Sequence, residues 1–248
     1  ILIFFNTTMC YRCTHPVHRL VKLASKRYNP YKMKEVSIQA PNKLVYRDAP
    51  KPTPREGETL IRVAATGVNR LDLFTAKGQM GILLPHTPGS DVSGEVEKVN
   101  GVSDLQPGQE VIVNPAMPCK DCPRCRRGLS CGSVGIFGYK TPGGYAEFVT
   151  APTEQVYPKP ENLSHIEAAS FPLTFLTAYH MLAGRADLQR GERAFIWGAS
   201  GGLGSAGIQI AKHLGAEVIA AAGTREDAEK IKAMGADHVI NYRKDNVV

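Results

Sequence analysis

Long apolar runs are missing from this 248-residue chain. Nothing approaches the roughly 20 consecutive residues of a membrane-spanning helix, and the opening ILIFF is too short for the apolar core of a secretory signal. That excludes a helical membrane protein, and a cytoplasmic location without membrane partners is expected. Internal repeats and low-complexity tracts are also missing, which excludes a solenoid or a fibrous chain. Acidic residues are absent before Glu35, whereas Arg12, Arg19, Lys22, Lys26, Arg27, Lys32 and Lys34 all precede it. The formal charge of +7 therefore belongs to a leader, because residues 35–248 carry 23 basic and 23 acidic side chains. Zero net charge over the remainder argues against a nucleic-acid partner.

Three readings of residues 1–32 stay open: translated upstream sequence, a partial organelle transit segment, or a basic arm for nucleic acid. The chain begins with Ile and a natural start fits better at Met33, so the leader is expected to be disordered or not native. Within it, CYRCTHPVH (Cys10, Cys13, His15, His18) has zinc-chelating residue types but stands outside any evident fold.

Apolar residues make up 43% of the chain, with 24 Gly and 17 Pro, which suits two domains with cores of their own. From residue 33 to 158 the pattern is short alternating runs separated by Gly and Pro (LIRVAATGV, VSGEVEKV, EVIVNP, YAEFVTAP), which predicts an all-β domain. Over 159–248 the period changes. SHIE, Ser164 to Glu167, is a capping box that opens a helical stretch. Residues 192–223 then read strand, glycine turn, helix, strand, and TREDAEKIKAMGADHVINY adds a further helix and a third strand. Such alternation predicts a parallel sheet.

GASGGLG (Gly198, Ala199, Ser200, Gly201, Gly202, Leu203, Gly204) follows an apolar strand and opens a helix. Glycines there permit the tight turn and let backbone amides approach a pyrophosphate, which the positive end of the helix dipole favours. A purely structural turn is the alternative. The nucleotide can be argued from the end of the second strand, where an acid would accept hydrogen bonds from the ribose of NAD. Ala222 stands there instead, followed by Gly223, Thr224 and Arg225, a donor-rich turn with a cation suited to a 2′-phosphate. NADP(H) is expected; the bland reading leaves Arg225 as a solvated first-turn residue.

Read in order, GVNRLD, PGSDVSGEV, PGQEVIV, GGYAEFV, PLTFLTAYHML and GASGGLG resemble the medium-chain dehydrogenase/reductase superfamily, from about Met33 to the last residue. The resemblance implies a GroES-like β-barrel domain followed by a Rossmann domain of the doubly wound parallel type. It also implies Thr177 near the nicotinamide and Tyr242 near the adenosine phosphate. Where some NADPH-binding members carry a Lys in the turn, this chain has Asp227, so Arg225 would take that role.

Zinc alcohol dehydrogenases of the superfamily hold a catalytic zinc with Cys, His and Cys; at those positions this chain has Asn69, Ser90 and, near the third, Leu173. None is a good zinc ligand. GVNRLD with PGSD is similar to the quinone oxidoreductase branch, which implies hydride transfer from NADPH to a quinone or enone. Asn69 and Asp72, in the loop that the family turns toward the nicotinamide, are then expected to orient a substrate carbonyl. Arg70 would do the same or face solvent, and Asp91 would hold the loop. His180 reads as a packed or surface histidine.

Cys119, Cys122, Cys125 and Cys131 match the superfamily's structural-zinc lobe (115–133), four thiolates with no open position. Five residues, not the usual seven, precede the last Cys, so the lobe is shortened; free or redox thiols are the alternative. Lys120, Arg124, Arg126 and Arg127 read as its solvated face. The chain stops after NYRKDNVV, where the first half of a Rossmann sheet is complete, so a truncated protein of poor solubility and little activity is expected, dimeric or tetrameric only when full length. A zinc alcohol dehydrogenase and a non-enzymatic nucleic-acid or partner-binding protein remain as alternatives.

Overall fold

The computed structural model describes residues 2–4, 31–127, 131 and 133–245. The basic residues Arg12 to Arg27 and the group Cys10, Cys13, His15 and His18 lie outside the described residues. Of the leader, β1 (Leu2–Phe4) runs parallel to β4, with Phe4 opposite Gly67. Contacts divide the chain into two units, the first reaching Pro172 and the second starting at Leu173.

In the first unit β2 (Lys32–Ala40) and β3 (Lys43–Pro50) form an antiparallel hairpin. β4 (Glu58–Gly67), β5 (Val92–Asn100), β6 (Glu110–Val113) and β10 (Val156–Pro158) pair in sequence, antiparallel, and β9 (Phe148–Pro152) takes the other edge of β4. β7 (Ala116–Met117) and β8 (Gly135–Ile136) make a small ribbon that carries the cysteine lobe. The expected all-β texture holds, because alternate residues find apolar partners: Ile61, Val63, Val92, Val111, Val113 and Val149 meet in one core.

Two helices interrupt it, α1 (Arg70–Ala76) after β4 and α2 (Pro123–Arg126) in the lobe. The unit continues past 158, since α3 (His165–Ala168), begun by the SHIE capping box, is fastened to the strands. Its His165 lies 2.8 Å from Ser93 Oγ on one side and 3.2 Å from Glu110 on the other. Ser93 is fully buried, so this serine, histidine and carboxylate form an anchor and not a nucleophile.

The second unit is a parallel sheet of β11 (Arg193–Ile196), β12 (Glu217–Ala222) and β13 (His238–Asn241) in that spatial order. The helices α5 (Gly202–His213) and α6 (Arg225–Ala233) that join its strands pack against one face of it. That face carries Ala194, Val218 and Ala220, which pack on Ile208, Ala211 and Ile231. The helical stretch α4 (Pro172–Tyr179) continues through a π-helical turn, His180–Arg185, and rests on α5 through Ala178 and Phe175.

Candidate functional site

In the first unit, the site residues expected from sequence converge on the turn where β4 ends and α1 begins. Asn69 is the N-cap of α1 and is half-buried. Its backbone N–H donates to Asp72 Oδ2 at 2.7 Å, and its side-chain Nδ2 donates to Asp91 Oδ2 at 2.8 Å. The second Nδ2 proton has no partner among the described residues, so Asn69 retains a donor for a carbonyl. Arg70, the next residue, is exposed.

Asp72, expected beside the substrate, is instead buried at 5% exposure. Besides the Asn69 N–H, its carboxylate accepts from Gly89 N at 3.2 Å and from the Tyr145 hydroxyl at 3.1 Å. Burial pushes its pKa up, and these three donors oppose that rise. Three of its four lone-pair sites are occupied from within, so it holds the loop. Asp91, expected to hold the loop, takes Asn69 Nδ2 on its carboxylate, and its carbonyl accepts from Gly67 N at 3.1 Å and from Thr66 Oγ1 at 2.8 Å.

Tyr145 was not singled out by sequence. Its ring lies where a Cβ on Gly89 would stand, 2.6 Å from Cδ1, and Gly89 has φ +108°, so glycine is required there. The GGY pattern three residues before β9 was the available signal. Ser90, also fully buried, has no partner for its hydroxyl among the described residues. With Asn69 bound to Asp91 and Ser90 a hydroxyl, this turn offers no thiolate and no imidazole to a catalytic metal.

The thiols are gathered elsewhere. The sulfur atoms of Cys119, Cys122, Cys125 and Cys131 all lie within 4.8 Å of one another, and among the described residues no other His, Cys, Asp or Glu group is placed to hold a metal. Cys119 and Cys125 are 3.9 Å apart and Cys119 and Cys131 3.4 Å. A tetrahedral tetrathiolate with Zn–S of about 2.3 Å has sulfurs about 3.8 Å apart, so the four residues fit zinc.

Backbone amides already point at the sulfurs. Cys122 N reaches Cys119 Sγ and Cys125 N reaches Cys122 Sγ, each at 3.4 Å, while Cys119 N (3.4 Å) and Ser133 N (3.3 Å) both reach Cys131 Sγ. Such donors favour thiolate; those of Cys119 and Ser133 hold the Cys131 pKa below its ordinary value. The four sulfurs are therefore brought together despite the shortened spacing. Lys120 and Arg126 pair with Glu154 and Asp121 in solvent, as expected of a surface face.

In the second unit the glycine turn is built for close approach. Gly198 has φ +63°, and Gly201 N donates back to Gly198 O at 3.0 Å. A Cβ on Gly204 would stand 2.4 Å from Gly198 O and 2.6 Å from Ala199 Cα, so the start of α5 sits against the turn only because residue 204 is glycine. Ala199 is fully buried, Ser200 half-buried and Leu203 exposed. The first N–H groups of the 12-residue α5 lack intrahelical acceptors and suit a pyrophosphate.

At the end of β12, Ala222 is buried. Gly223 lies beneath Tyr242, whose hydroxyl is 2.3 Å from the position of an added Cβ. Thr224 caps α6 by accepting from Asp227 N at 3.1 Å. Arg225 is 93% exposed and pairs with Glu229 at 3.0 Å. Thr177 donates its hydroxyl to Leu173 O at 2.7 Å, one turn back on α4. Trp197 stacks on Tyr242 with ring centroids 5.1 Å apart.

A β unit with a thiol tetrad, followed by a strand, glycine turn and helix with a parallel sheet, is the plan of a nucleotide-dependent dehydrogenase. Comparison with known families agrees: the alcohol dehydrogenase GroES-like domain matches residues 55–161 and the zinc-binding dehydrogenase family residues 202–248. The chain belongs to the medium-chain dehydrogenase/reductase superfamily.

It is 33% identical to a quinone oxidoreductase of Pongo abelii over 204 residues, covering 81% of this chain and 55% of that protein. It is 35% identical to an NAD-dependent alcohol dehydrogenase of Sulfurisphaera tokodaii, covering 84% of this chain and 63% of that one. A crystal structure described as an NAD-dependent alcohol dehydrogenase superposes with a TM-score of 0.81 at 40% identity, over 85% of this chain and 64% of the other. The chain thus spans a little over half the length of the quinone oxidoreductase it matches. No helix among the described residues is long and apolar enough to cross a membrane.

Proposed function

We propose that the protein is an oxidoreductase that passes a hydride from NADPH to a quinone, enone or similar carbonyl acceptor, with one structural and no catalytic zinc. The observation that carries this reading is the turn at Asn69: its donors and acceptors are amide and carboxylate groups, while all the described thiols lie together in a closed lobe. Alcohol oxidation by this superfamily needs a Lewis acid for the alkoxide, and Asn69 and Ser90 supply none. Reduction of an electron-poor carbonyl needs positioning above all.

NADPH, when bound, supplies the hydride; everything else falls to the chain. The turn Gly198–Gly204 and the start of α5 would hold the pyrophosphate. Arg225, released from Glu229, would pair with the 2′-phosphate beside Thr224, and Tyr242 would border the same turn. Thr177 keeps its hydroxyl lone pairs as acceptors for the nicotinamide end. Asn69 would donate its remaining Nδ2 proton to the acceptor carbonyl, with Arg70 free in solvent to assist. Cys119, Cys122, Cys125 and Cys131 would close round zinc and stiffen the β7–β8 ribbon.

The single tryptophan, Trp197, immediately precedes Gly198 and reports nucleotide binding by its fluorescence. Titration is expected to show tighter binding of NADPH than of NADH. Arg225→Glu is expected to weaken NADPH about 10- to 100-fold, the worth of one hydrogen bond to a charged group, and to leave NADH unchanged. Equal affinities in both proteins would sink the NADPH assignment. The identity of 40% to the alcohol dehydrogenase structure favours a second reading; two zinc ions per chain and NAD-linked alcohol oxidation would establish it.

A further inference from the structure

We propose that Tyr145 is a positioning residue that acts through Asp72 to hold Asn69 in its substrate-facing pose. The inference rests on the reading of Asn69 as the carbonyl donor. The pose of Asn69 is set at two points, its backbone N–H on Asp72 Oδ2 and its side-chain Nδ2 on Asp91 Oδ2. The oxygen that takes the backbone N–H is the one that takes the Tyr145 hydroxyl, at 3.1 Å. Of the three donors that hold this carboxylate, the hydroxyl is the one that comes from a side chain.

Tyr145 is itself held on three sides. Its backbone N–H donates to Pro88 O at 3.0 Å, its carbonyl accepts from Val36 N at 2.7 Å, and its ring is pressed on the bare Cα of Gly89. A buried ring thus aims one hydroxyl at a carboxylate that in turn fixes the N-cap. The ring would pack equally well without the hydroxyl, so burial alone does not account for a tyrosine here.

Ionised, the carboxylate accepts all three hydrogen bonds; protonated, it gives up part of that capacity and the grip on Asn69 loosens. Tyr145 is the titratable group that faces Asp72 directly, and Asp91 is next, through Asn69; on α1 itself Arg70 points to solvent. Burial and the adjacent Asp72 hold the Tyr145 proton far above the usual tyrosine range, so Tyr145 does not titrate with Asp72.

The test is Tyr145→Phe in the whole chain, read in two ways. The first is the side-chain amide signal of Asn69 in 15N NMR across pH, assigned by its loss in Asn69→Ser. The second is kcat and KM for NADPH oxidation by a quinone across pH. Expected in Tyr145→Phe are a displaced Asn69 signal, an acid-side transition moved to higher pH, and kcat lowered about ten-fold, what one hydrogen bond to a carboxylate is worth. The affinity for NADPH stays unchanged.

Asp72→Asn abolishes the acid-side transition altogether. An Asn69 signal and pH profile identical to wild type in Tyr145→Phe overturn the proposal. If the chain reduces no quinone, as its expected low activity allows, the NMR titration alone decides the positioning role: displacement supports it and coincidence overturns it.

Discussion

At the scale of single residues, glycine does work that no side chain can replace. Gly204 is the sharpest case, because an added methyl would overlap Gly198 O at 2.4 Å, a backbone atom that cannot rotate away. Gly204→Ala is expected to cost about 1–3 kcal/mol of stability by overpacking and to abolish the fluorescence change of Trp197 on adding NADPH. At Gly207, one turn on, an added Cβ would meet only the Ile196 side chain, at 3.5 Å or more, so Gly207→Ala serves as the control that retains the change. The residue scale is also where sequence reading was least complete. Asn69 and Asp72 both stand in GVNRLD and were expected to share a role; in the structure Asn69 keeps a side-chain N–H without a partner among the described residues, while Asp72 is buried. Nothing local in the sequence says that Asp72 meets Tyr145, 73 residues away.

Elements are held by pairs that the sequence spaces far apart. Asp237, in the turn between α6 and β13, accepts from Lys212 Nζ of α5 at 2.7 Å and from Val218 N of β12 at 2.7 Å. Lys212 beside it holds its carboxyl below the ordinary 3.8. A lowered folded pKa means that this stabilisation is complete above 3.8 and is lost as pH falls through the folded value. Thermal melts of Asp237→Asn are expected to show a lower Tm than wild type at pH 7, with the gap closing in strong acid; a constant gap would assign the loss to something other than charge. Glu110, lowered first by Lys159 and also by His165, adds acid sensitivity of the same sign where α3 joins β6. These clamps explain why the first unit reaches Pro172: SHIE was legible as a helix start, but the anchorage of that helix on Ser93 and Glu110 was not.

For the molecule as a whole, the two units make separate demands on a ligand, which a removal experiment separates. Chelation of zinc is expected to lower the Tm and to expose four thiols to a titrating reagent, while the Trp197 response to NADPH persists, because Trp197 belongs to the other unit. Elemental analysis should give about one zinc per chain, absent in Cys125→Ser. The sheet of the second unit also leaves Phe195 and Trp197 exposed at 52% and 60% on the face away from its helices, and neither exposure was readable from RAFIW, which looks like any buried strand. By itself the sequence determined the order of β-rich and α/β units, the glycine turn, the capping boxes and the cysteine spacing, because each depends on residues within a few positions of one another. Tertiary structure alone decided which carboxylate faces inward, that the shortened lobe brings its sulfurs together, and where α3 is anchored. Those outcomes rest on contacts between residues dozens of positions apart, and burial, which sets the cost of a charge and the value of a hydrogen bond, exists only once the chain has folded.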